Sequence, residues 1–113
     1  MKATDRTSGK VLAPNLAVAD TFFTRLKGLL GKQELPHGEG LWIKPCNSVH
    51  TFGMKFPIDI IFLDKNYRII GLANGLNPNR ASKVLLEASS VIELPAGTLV
   101  ASKTVVGNVV EIV

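Results

Sequence analysis

The sequence predicts a mainly β fold of the α+β class: a small sandwich or open barrel of six to seven antiparallel or mixed strands, with one packed helix near residues 20–30. Three observations support this prediction. The chain has 113 residues, 46% hydrophobic and 19% charged, which suits one compact core and is too short for two ordinary domains. Most apolar stretches are short, rich in β-branched residues and bounded by turn formers. Only one stretch repeats apolar residues at helical spacing.

The N-terminal part is predicted to contain the first strand. We expect a single domain over residues 1–113, with residues 1–9 as a flexible or loosely attached N-terminus. The strand begins at Val11–Ala13 and includes Leu16 and Val18. Pro14-Asn15 interrupts or ends it, because proline has no N–H to donate to a ladder.

A helix is predicted next. Asp20 is suited to its N-cap and Gly31 to its C-terminal stop. One face of this helix would carry apolar residues at three-and-four spacing: Phe22, Phe23, Leu26, Leu29 and Leu30. The following residues, 31–40, are turn formers and charges, so we expect an exposed loop there.

The remainder of the chain is strand-like. The hairpin loop Asp64–Tyr67 and a sharp turn at Asn77–Asn79 separate apolar runs, and no internal repeat is present. The predicted strands are Leu41–Ile43, about Thr51–Leu63, Arg68–Asn74, Val84–Glu87, Val91–Leu94 and Val109–Val113.

Composition excludes several classes of protein. The longest apolar run, Ile60–Leu63, is far shorter than the roughly 20 residues that span a bilayer, so no membrane span is expected. The polar start lacks a signal peptide, and the single Cys46 cannot form an internal disulfide, so we expect a soluble, cytoplasmic protein. The net charge is +4, but the lysines are spread evenly along the chain. A solvated surface explains this pattern, and no nucleic-acid partner is expected.

Polar residues interrupt the apolar pattern most densely between Pro45 and Leu63. In an extended strand His50, Phe52, Met54 and Phe56 would share one face, until Pro57 breaks the ladder. On such a face His50 is either a buried structural histidine that donates a ring N–H to a carbonyl, or a direct participant in binding or chemistry. The structural role is the simpler explanation.

Asp59 lies between Ile58 and Ile60, and a carboxylate in a core strand must be paired, hydrogen-bonded or protonated. The hairpin register would place it across from Gly71 or Ala73, where a small residue leaves room above the carboxylate. That space could admit a ligand, the Arg80 side chain, or backbone amides.

Cys46, His50 and Met54 are soft or borderline ligands at a spacing of four, the residue types of a copper(I) site. On a strand, four residues span about 13 Å, which is too far for three ligands to converge on one ion. The same spacing argues against Cys46 as a nucleophile with His50 as its base and Asn47 as the orienting group. No metal and no cofactor is therefore predicted. Trp42 is more typical of a core residue than of a stacking platform.

Several motifs together resemble one family, the domain of unknown function numbered 192, which is common in bacteria and archaea. The resemblance spans residues 11–113 and is most specific in the His-x-Phe-x-Met stretch followed by Pro-Ile-Asp. The residues that carry it are Gly28–Gly31, Gly38–Leu41, His50–Asp59, Phe62–Asp64, Pro78, Arg80, Glu93–Gly97 and Gly107.

The resemblance implies a small, mainly β domain with one helix near the N-terminus, and it implies no activity. It marks His50, Phe52, Met54, Asp59, Arg80 and Glu93 as motif positions without naming their roles. Two departures stand out. Many relatives begin with an export signal that this chain lacks. Many also have Gly at the hairpin position held by Tyr67, so Asn66 is expected to adopt the positive φ unless the loop differs.

The leading functional hypothesis is a non-catalytic module that binds a small ligand or a protein partner around His50, Asp59 and Arg80. Met54 would belong to the same site, with Trp42 or Asn47 at its rim. One alternative is a small enzyme that uses His50 or Asp59 as acid or base. Another is a structural accessory subunit that docks through a sheet edge near Val109–Val113.

Overall fold

The computed structural model describes residues 1–113 and contains eight strands and two short helices. In chain order the elements are β1 (Ala3–Asp5), β2 (Lys10–Ala13), β3 (Asn15–Ala19), α1 (Phe22–Lys27), β4 (Glu39–Ile43), β5 (Ile58–Leu63), β6 (Ile69–Leu76), β7 (Ser90–Pro95), α2 (Thr98–Ser102) and β8 (Val110–Ile112). No helix is both long and apolar enough to cross a membrane. The mainly β fold predicted from the sequence is confirmed.

Two sheets form the fold. The smaller is antiparallel, in the order β2-β1-β8. The larger is mixed, in the order β3-β4-β7-β5-β6, and only its β3–β4 pair is parallel. Strands β5 and β7 are buried along their whole length, which fits their nearly continuous apolar sequences.

The larger sheet has an apolar cluster on each face. Ile61, Ile92 and Leu94 point toward the smaller sheet and form the main core with its residues. Ile60, Val91 and their neighbours point the other way, against the irregular segments that follow α1, β4 and β6. Because side chains alternate along a strand, each residue of β5 and β7 is assigned to one of these faces. The candidate site lies on the second face.

The N-terminus differs from its prediction as a loosely attached segment. Strand β1 lies between β2 and β8, and both Ala3 and Asp5 are fully buried. The Asp5 carboxylate accepts hydrogen bonds from the backbone amides of Thr7 and Ser8 and from Asn108 Nδ2. These long-range contacts could not be inferred from the polar local sequence.

The helix is present at the predicted place, with different ends and a different environment. Thr21, not Asp20, is the N-cap, because the Thr21 hydroxyl accepts from the Thr24 amide in a capping box. The helix ends at Gly28, three residues before the predicted stop. Its apolar side chains are open to solvent, with Phe22 66% and Phe23 78% exposed. The burial occurs just after the helix, at Leu29.

Two predicted strands are wrong in part. Residues 51–57 form turns, and the strand starts only at Ile58. The cause is Thr51, whose backbone carbonyl accepts from the amides of Met54 and Asn79 and so closes a turn. The proposed common face of His50 and Met54 is therefore absent. Residues 84–87 are also not a strand, although their composition is β-like, because their backbone joins no ladder.

The hairpin between β5 and β6 is confirmed, with two corrections. A bulge lies opposite Asp59, so its β6 neighbours are Asn74 and Gly75 instead of Gly71 or Ala73. Tyr67 itself adopts the positive φ, at 63°, in place of Asn66. The Tyr67 ring packs edge-on against Trp42, with centroids 5.9 Å apart, a tertiary contact that accompanies the left-handed backbone.

Candidate functional site

A cavity of about 190 Å³ lies on the second face of the larger sheet. Its floor includes Ile43 from β4 and Glu93 from β7. One wall comes from α1 and the turn after it, residues 25–30, and the other from the segment 45–54. About half of the lining residues are hydrophobic, and the others include Arg25, Lys27 and Glu93. Small-molecule sites commonly combine an apolar wall with a small number of polar groups.

The polar centre of the cavity is the Glu93 carboxyl. Glu93 lies in the middle of β7, between Leu41 of β4 and Ile60 of β5, and its residue is 3% exposed. Its Oε1 is buried and has no hydrogen-bond partner. Burial raises the pKa of this carboxyl to about 7, because an apolar environment disfavours its charged form. Near neutral pH the group therefore exchanges a proton readily.

Gly28 leaves space beside this carboxyl. The residue is the C-cap of α1 and adopts a φ of 49°. A Cβ built at this position would lie 3.9 Å from Glu93 Oε1, in ordinary van der Waals contact. The glycine therefore has a conformational role at the helix end, and it also keeps the Glu93 side of the cavity free of a side chain.

Arg25 supplies a half-buried positive charge to the cavity, and the exposed Lys27 also lines it. Arg25 Nη1 donates to the backbone carbonyl of Pro45 at 3.4 Å, which joins α1 to the opposite wall. Its Nε is buried and has no partner. Arg25 and Glu93 thus face one cavity, each with a buried polar atom that the protein leaves unpaired.

Cys46 lies near both charges. Its thiol donates to the Ser48 carbonyl, with Sγ and O 3.0 Å apart. Burial raises the pKa of the thiol, while the Ser48 hydrogen bond lowers it; among the charges, Glu93 raises it and Arg25 lowers it. The first effect is the largest, so the thiol is not an activated nucleophile. The sequence argued against Cys46 and His50 acting as a nucleophile and its base. In agreement, the Cys46 thiol donates to Ser48, whereas His50 Nδ1 accepts from Phe52.

Thr51 fixes the loop that carries His50 and Met54. Its side chain is fully buried, and its hydroxyl donates to the carbonyl of Asn77 at 2.6 Å and accepts from the amide of Arg80 at 2.9 Å. A backbone bridge between His50 and Ala81 continues this attachment. The segment after β6 thus acts as a brace behind the cavity wall.

Two of the six residues predicted for the site line the cavity. Met54 is 8% exposed and lies in the apolar cluster beneath it. His50 is exposed at the rim, so the expectation of a buried histidine is wrong. Its Nδ1 accepts from the Phe52 amide at 3.3 Å, and its ring lies 5.4 Å from the Phe52 ring. The side chain reaches solvent because residues 50–54 form turns instead of a strand.

Asp59 faces the other side of the sheet. Its Oδ1 accepts from the Gly75 amide at 2.8 Å and its Oδ2 from the Leu99 amide at 2.9 Å. It therefore joins the bulge of β6 to the first turn of α2, and both oxygens are satisfied by backbone amides. Of the three possible occupants of the space near Asp59, the backbone amides are the ones found.

The other predicted site residues also lie outside the cavity. Arg80 is exposed, and its guanidinium donates only to the neighbouring Asn79 carbonyl, so Asp59 and Arg80 do not pair. Trp42 belongs to the main core on the opposite face, with Lys44 Nζ 4.0 Å from its ring centroid. Asn47 lies beside the cavity lining, and its backbone carbonyl accepts from the Leu85 amide.

Sequence reasoning missed Arg25 and did not single out Glu93 for the site. A signal for Glu93 exists, because a single carboxylate interrupts the apolar run Val91–Leu94 just as Asp59 interrupts its own strand. No comparable signal exists for Arg25, which reads as a solvated helix residue. On a strand, Cys46, His50 and Met54 would be too far apart to converge, but in the irregular segment found here all three line one cavity. No group of three or more His, Cys, Asp or Glu side chains is arranged to hold a metal ion.

Comparison with known proteins identifies the family. Residues 3–112 match the family described as "Uncharacterized ACR", DUF192. A UPF0127 protein of Thermococcus sibiricus is 32% identical over 100 residues, covering 84% of this chain and 64% of the relative. A UPF0127 protein of Pyrococcus horikoshii is 35% identical over 85 residues, covering 71% of each chain. The chain thus spans slightly less than two thirds of the Thermococcus relative.

Two crystal structures share the fold. A protein of unknown function from Novosphingobium aromaticivorans superimposes with a TM-score of 0.85 at 24% identity, covering 98% of this chain and 82% of that one. A protein from Sinorhizobium meliloti, whose name suggests a transcription regulator, gives a TM-score of 0.81 at 18% identity, covering 97% and 89%. Identities this low establish the fold alone. On the family match over nearly its whole length, the chain belongs to the uncharacterised family DUF192, whose curated relatives are named UPF0127.

Proposed function

We propose that the protein is a binding module whose small ligand occupies the cavity between α1, β7 and the segment 45–54. The observation that carries this proposal is the Glu93 carboxyl, which is 3% exposed, faces the cavity and leaves Oε1 without a partner. A buried carboxyl of this kind costs folding free energy, since desolvation is not offset by hydrogen bonds. A ligand that donates to Glu93 would remove that cost.

The contrast with Asp59 supports this assignment. Both carboxylates interrupt apolar central strands, and both are almost completely buried. Asp59 accepts from two backbone amides, which is sufficient for a structural role. Glu93 has no such partners, so its burial is better explained by binding. We accordingly propose a structural role for Asp59 and place the ligand on the opposite face of the sheet.

The residues of the proposed site have separate roles. Glu93 accepts from the ligand, Arg25 Nε donates to it, and Met54 with Leu29 forms the apolar wall. His50 lies at the rim, where it can contact a ligand as it enters. Arg80 contributes through its backbone, which holds the Thr51 hydroxyl and thereby the loop.

Thermal unfolding in the presence of sugars, polyols, amines, amino acids and nucleotides tests the proposal. A ligand that binds only the native state raises the Tm by mass action. The single cysteine provides a local readout, because a ligand in the cavity should slow alkylation of Cys46 by iodoacetamide. Glu93→Gln should abolish both effects. Glu87→Gln, at an exposed carboxylate outside the cavity, is the matched control and should leave them intact.

The result that would refute the proposal is equally specific. If ligands that raise the Tm leave Cys46 alkylation unchanged in the wild type, or act equally on Glu93→Gln, they bind elsewhere. If no compound in the panel raises the Tm or slows the alkylation of Cys46, the cavity is not a small-ligand site. In that case docking of a protein partner, including docking through the edge near Val109–Val113, becomes the leading explanation.

An acid–base enzyme is the second candidate function. A carboxyl with a pKa of about 7 inside a cavity is suited to general acid or base catalysis near neutral pH. The catalytic group would then be Glu93 instead of His50 or Asp59. Mass spectrometry of any bound ligand after incubation separates the two functions: a binding module returns it unchanged, whereas an enzyme converts it and Glu93→Gln stops the conversion.

A further inference from the structure

We infer that the ligand is a small zwitterion, of the class of free α-amino acids with an apolar side chain, whose ammonium group meets Glu93 and whose carboxylate meets Arg25. The inference rests on the proposed function, because it names the ligand of the same cavity. It adds a chemical class that can be tested separately.

The two unpaired polar atoms carry the inference. Arg25 Nε and Glu93 Oε1 are both buried, both belong to residues that line the cavity, and neither has a hydrogen-bond partner. They come from different elements, α1 and β7, so the fold brings opposite charges to one cavity without pairing them. A ligand with one donor end and one acceptor end satisfies both atoms.

Charge narrows the choice of ligand. Arg25 and Lys27 line the cavity and disfavour a simple cation, whereas the buried Glu93, when ionised, disfavours a simple anion. A neutral polyol could hydrogen-bond to both residues, but it would leave two desolvated charges uncompensated. A zwitterion presents the opposite charge to each residue and forms the stronger, charge-assisted hydrogen bonds.

Cys46 lines the same cavity as Glu93 and Arg25. A ligand that occupies the cavity would therefore shield the Cys46 thiol, which makes this thiol a local readout of binding. The small volume of the cavity favours a short zwitterion, and an α-amino acid carries its ammonium and carboxylate on one carbon.

Size and polarity indicate the rest of the ligand. The cavity volume of about 190 Å³ corresponds to about six water molecules, which is less than a typical drug-sized site. The remaining wall contains Leu29, Ile43 and Met54. An apolar side chain of three or four carbons could pack there.

Calorimetric titration with L-valine, isobutylamine and isovalerate tests the inference. The two analogues each retain one charge of valine and the same branched side chain. We expect each analogue to bind at least tenfold more weakly than valine, a difference of about 1.4 kcal/mol, because it loses one charge-assisted hydrogen bond. Valine should also slow alkylation of Cys46, which places it in the cavity.

Variants and pH provide independent readouts. Glu93→Gln and Arg25→Gln should each weaken valine binding at least tenfold, while the matched controls Glu87→Gln and Arg6→Gln, at exposed residues outside the cavity, leave it unchanged. Binding of an ammonium requires ionised Glu93, so with its pKa at about 7 the wild-type affinity should fall about thirtyfold between pH 8 and pH 5.5. Arg25, Lys27, Cys46 and His50 also line the cavity. His50→Gln should retain the pH dependence, and Glu93→Gln should lose it.

The outcomes distinguish this inference from the proposed function. If isobutylamine or isovalerate binds as tightly as valine, the zwitterion is wrong and a single charge suffices. If a neutral polyol protects Cys46 in a manner that depends on Glu93 while valine does not, the inference is overturned and the binding function stands. If neither valine nor any other compound of the wider panel protects Cys46, both are refuted.

Discussion

Replacing Glu93 by Gln should stabilise the protein at alkaline pH and leave its stability unchanged at acid pH. The substitution keeps the shape of the side chain and removes only its ability to ionise. The relevant quantity is the difference between the ordinary carboxyl pKa of 4.5 and the folded value of about 7. At about 1.36 kcal/mol per unit, this difference corresponds to a cost of about 3 kcal/mol when the group must ionise in the folded protein.

The sign follows from proton linkage. The folded protein holds the Glu93 proton more tightly than the unfolded chain does, because burial raises the folded pKa. Below pH 4.5 both states are protonated and there is no cost. Stability then falls as the pH rises from about 4.5 to about 7, and above pH 7 the full cost remains. In the Gln variant this fall is absent.

Urea unfolding followed by the fluorescence of the single, buried Trp42 measures the effect. At pH 8.5 the free energy of unfolding of Glu93→Gln should exceed that of the wild type by about 3 kcal/mol, and at pH 4 the two should coincide. Glu87→Gln is the control for general charge effects, since Glu87 is exposed. A difference that does not change with pH, or a variant less stable than wild type at pH 8.5, would refute the reasoning about Glu93.

Three further substitutions test the structural assignments. Asp59→Asn should lower the free energy of unfolding by roughly 2–4 kcal/mol, because one of two buried backbone amides loses its acceptor; if ligand protection of Cys46 disappears in the folded variant, the structural role is wrong. Thr51→Val should cost roughly 1–3 kcal/mol, since the hydroxyl bonds three backbone groups, and an unchanged urea midpoint would contradict this. Lys103→Gly should raise stability by about 1 kcal/mol, because Lys103 is exposed and left-handed at a φ of 54°; a lower Tm would indicate that its side chain has an unrecognised role.

Local sequence was sufficient to predict the elements whose conformation depends on residues close together along the chain. The apolar, β-branched runs of β5 and β7 define central strands, and Asp64–Tyr67 between two such runs defines a hairpin. The family motifs could also be recognised, because they are contiguous stretches of sequence. The short β-branched stretches, together with the presence of only one stretch at helical spacing, were enough to predict a mainly β fold.

Contacts between residues far apart in the sequence determined the features that the local sequence pattern predicted wrongly. Residues 51–57 have the composition of a strand, but the carbonyl and hydroxyl of Thr51 bind the segment 77–80 and hold them in turns. The N-terminal residues are polar and short, yet pairing with β8, the last strand, places β1 inside a sheet. Helix α1 has an apolar face that the sequence assigned to the core, and the fold leaves it exposed.

The two carboxylates, Asp59 and Glu93, show most clearly which properties local sequence predicts and which depend on tertiary contacts. Asp59 and Glu93 carry the same local signal, a single charge in an apolar strand. This signal predicted a partner for Asp59, and the same signal was overlooked at Glu93. The partners come from elsewhere in the chain: α2 offers an amide to Asp59, while α1 and the 45–54 segment leave a cavity beside Glu93. A hydrogen bond depends on distance in space, not along the chain, so only the folded structure separates the structural carboxylate from the candidate binding group.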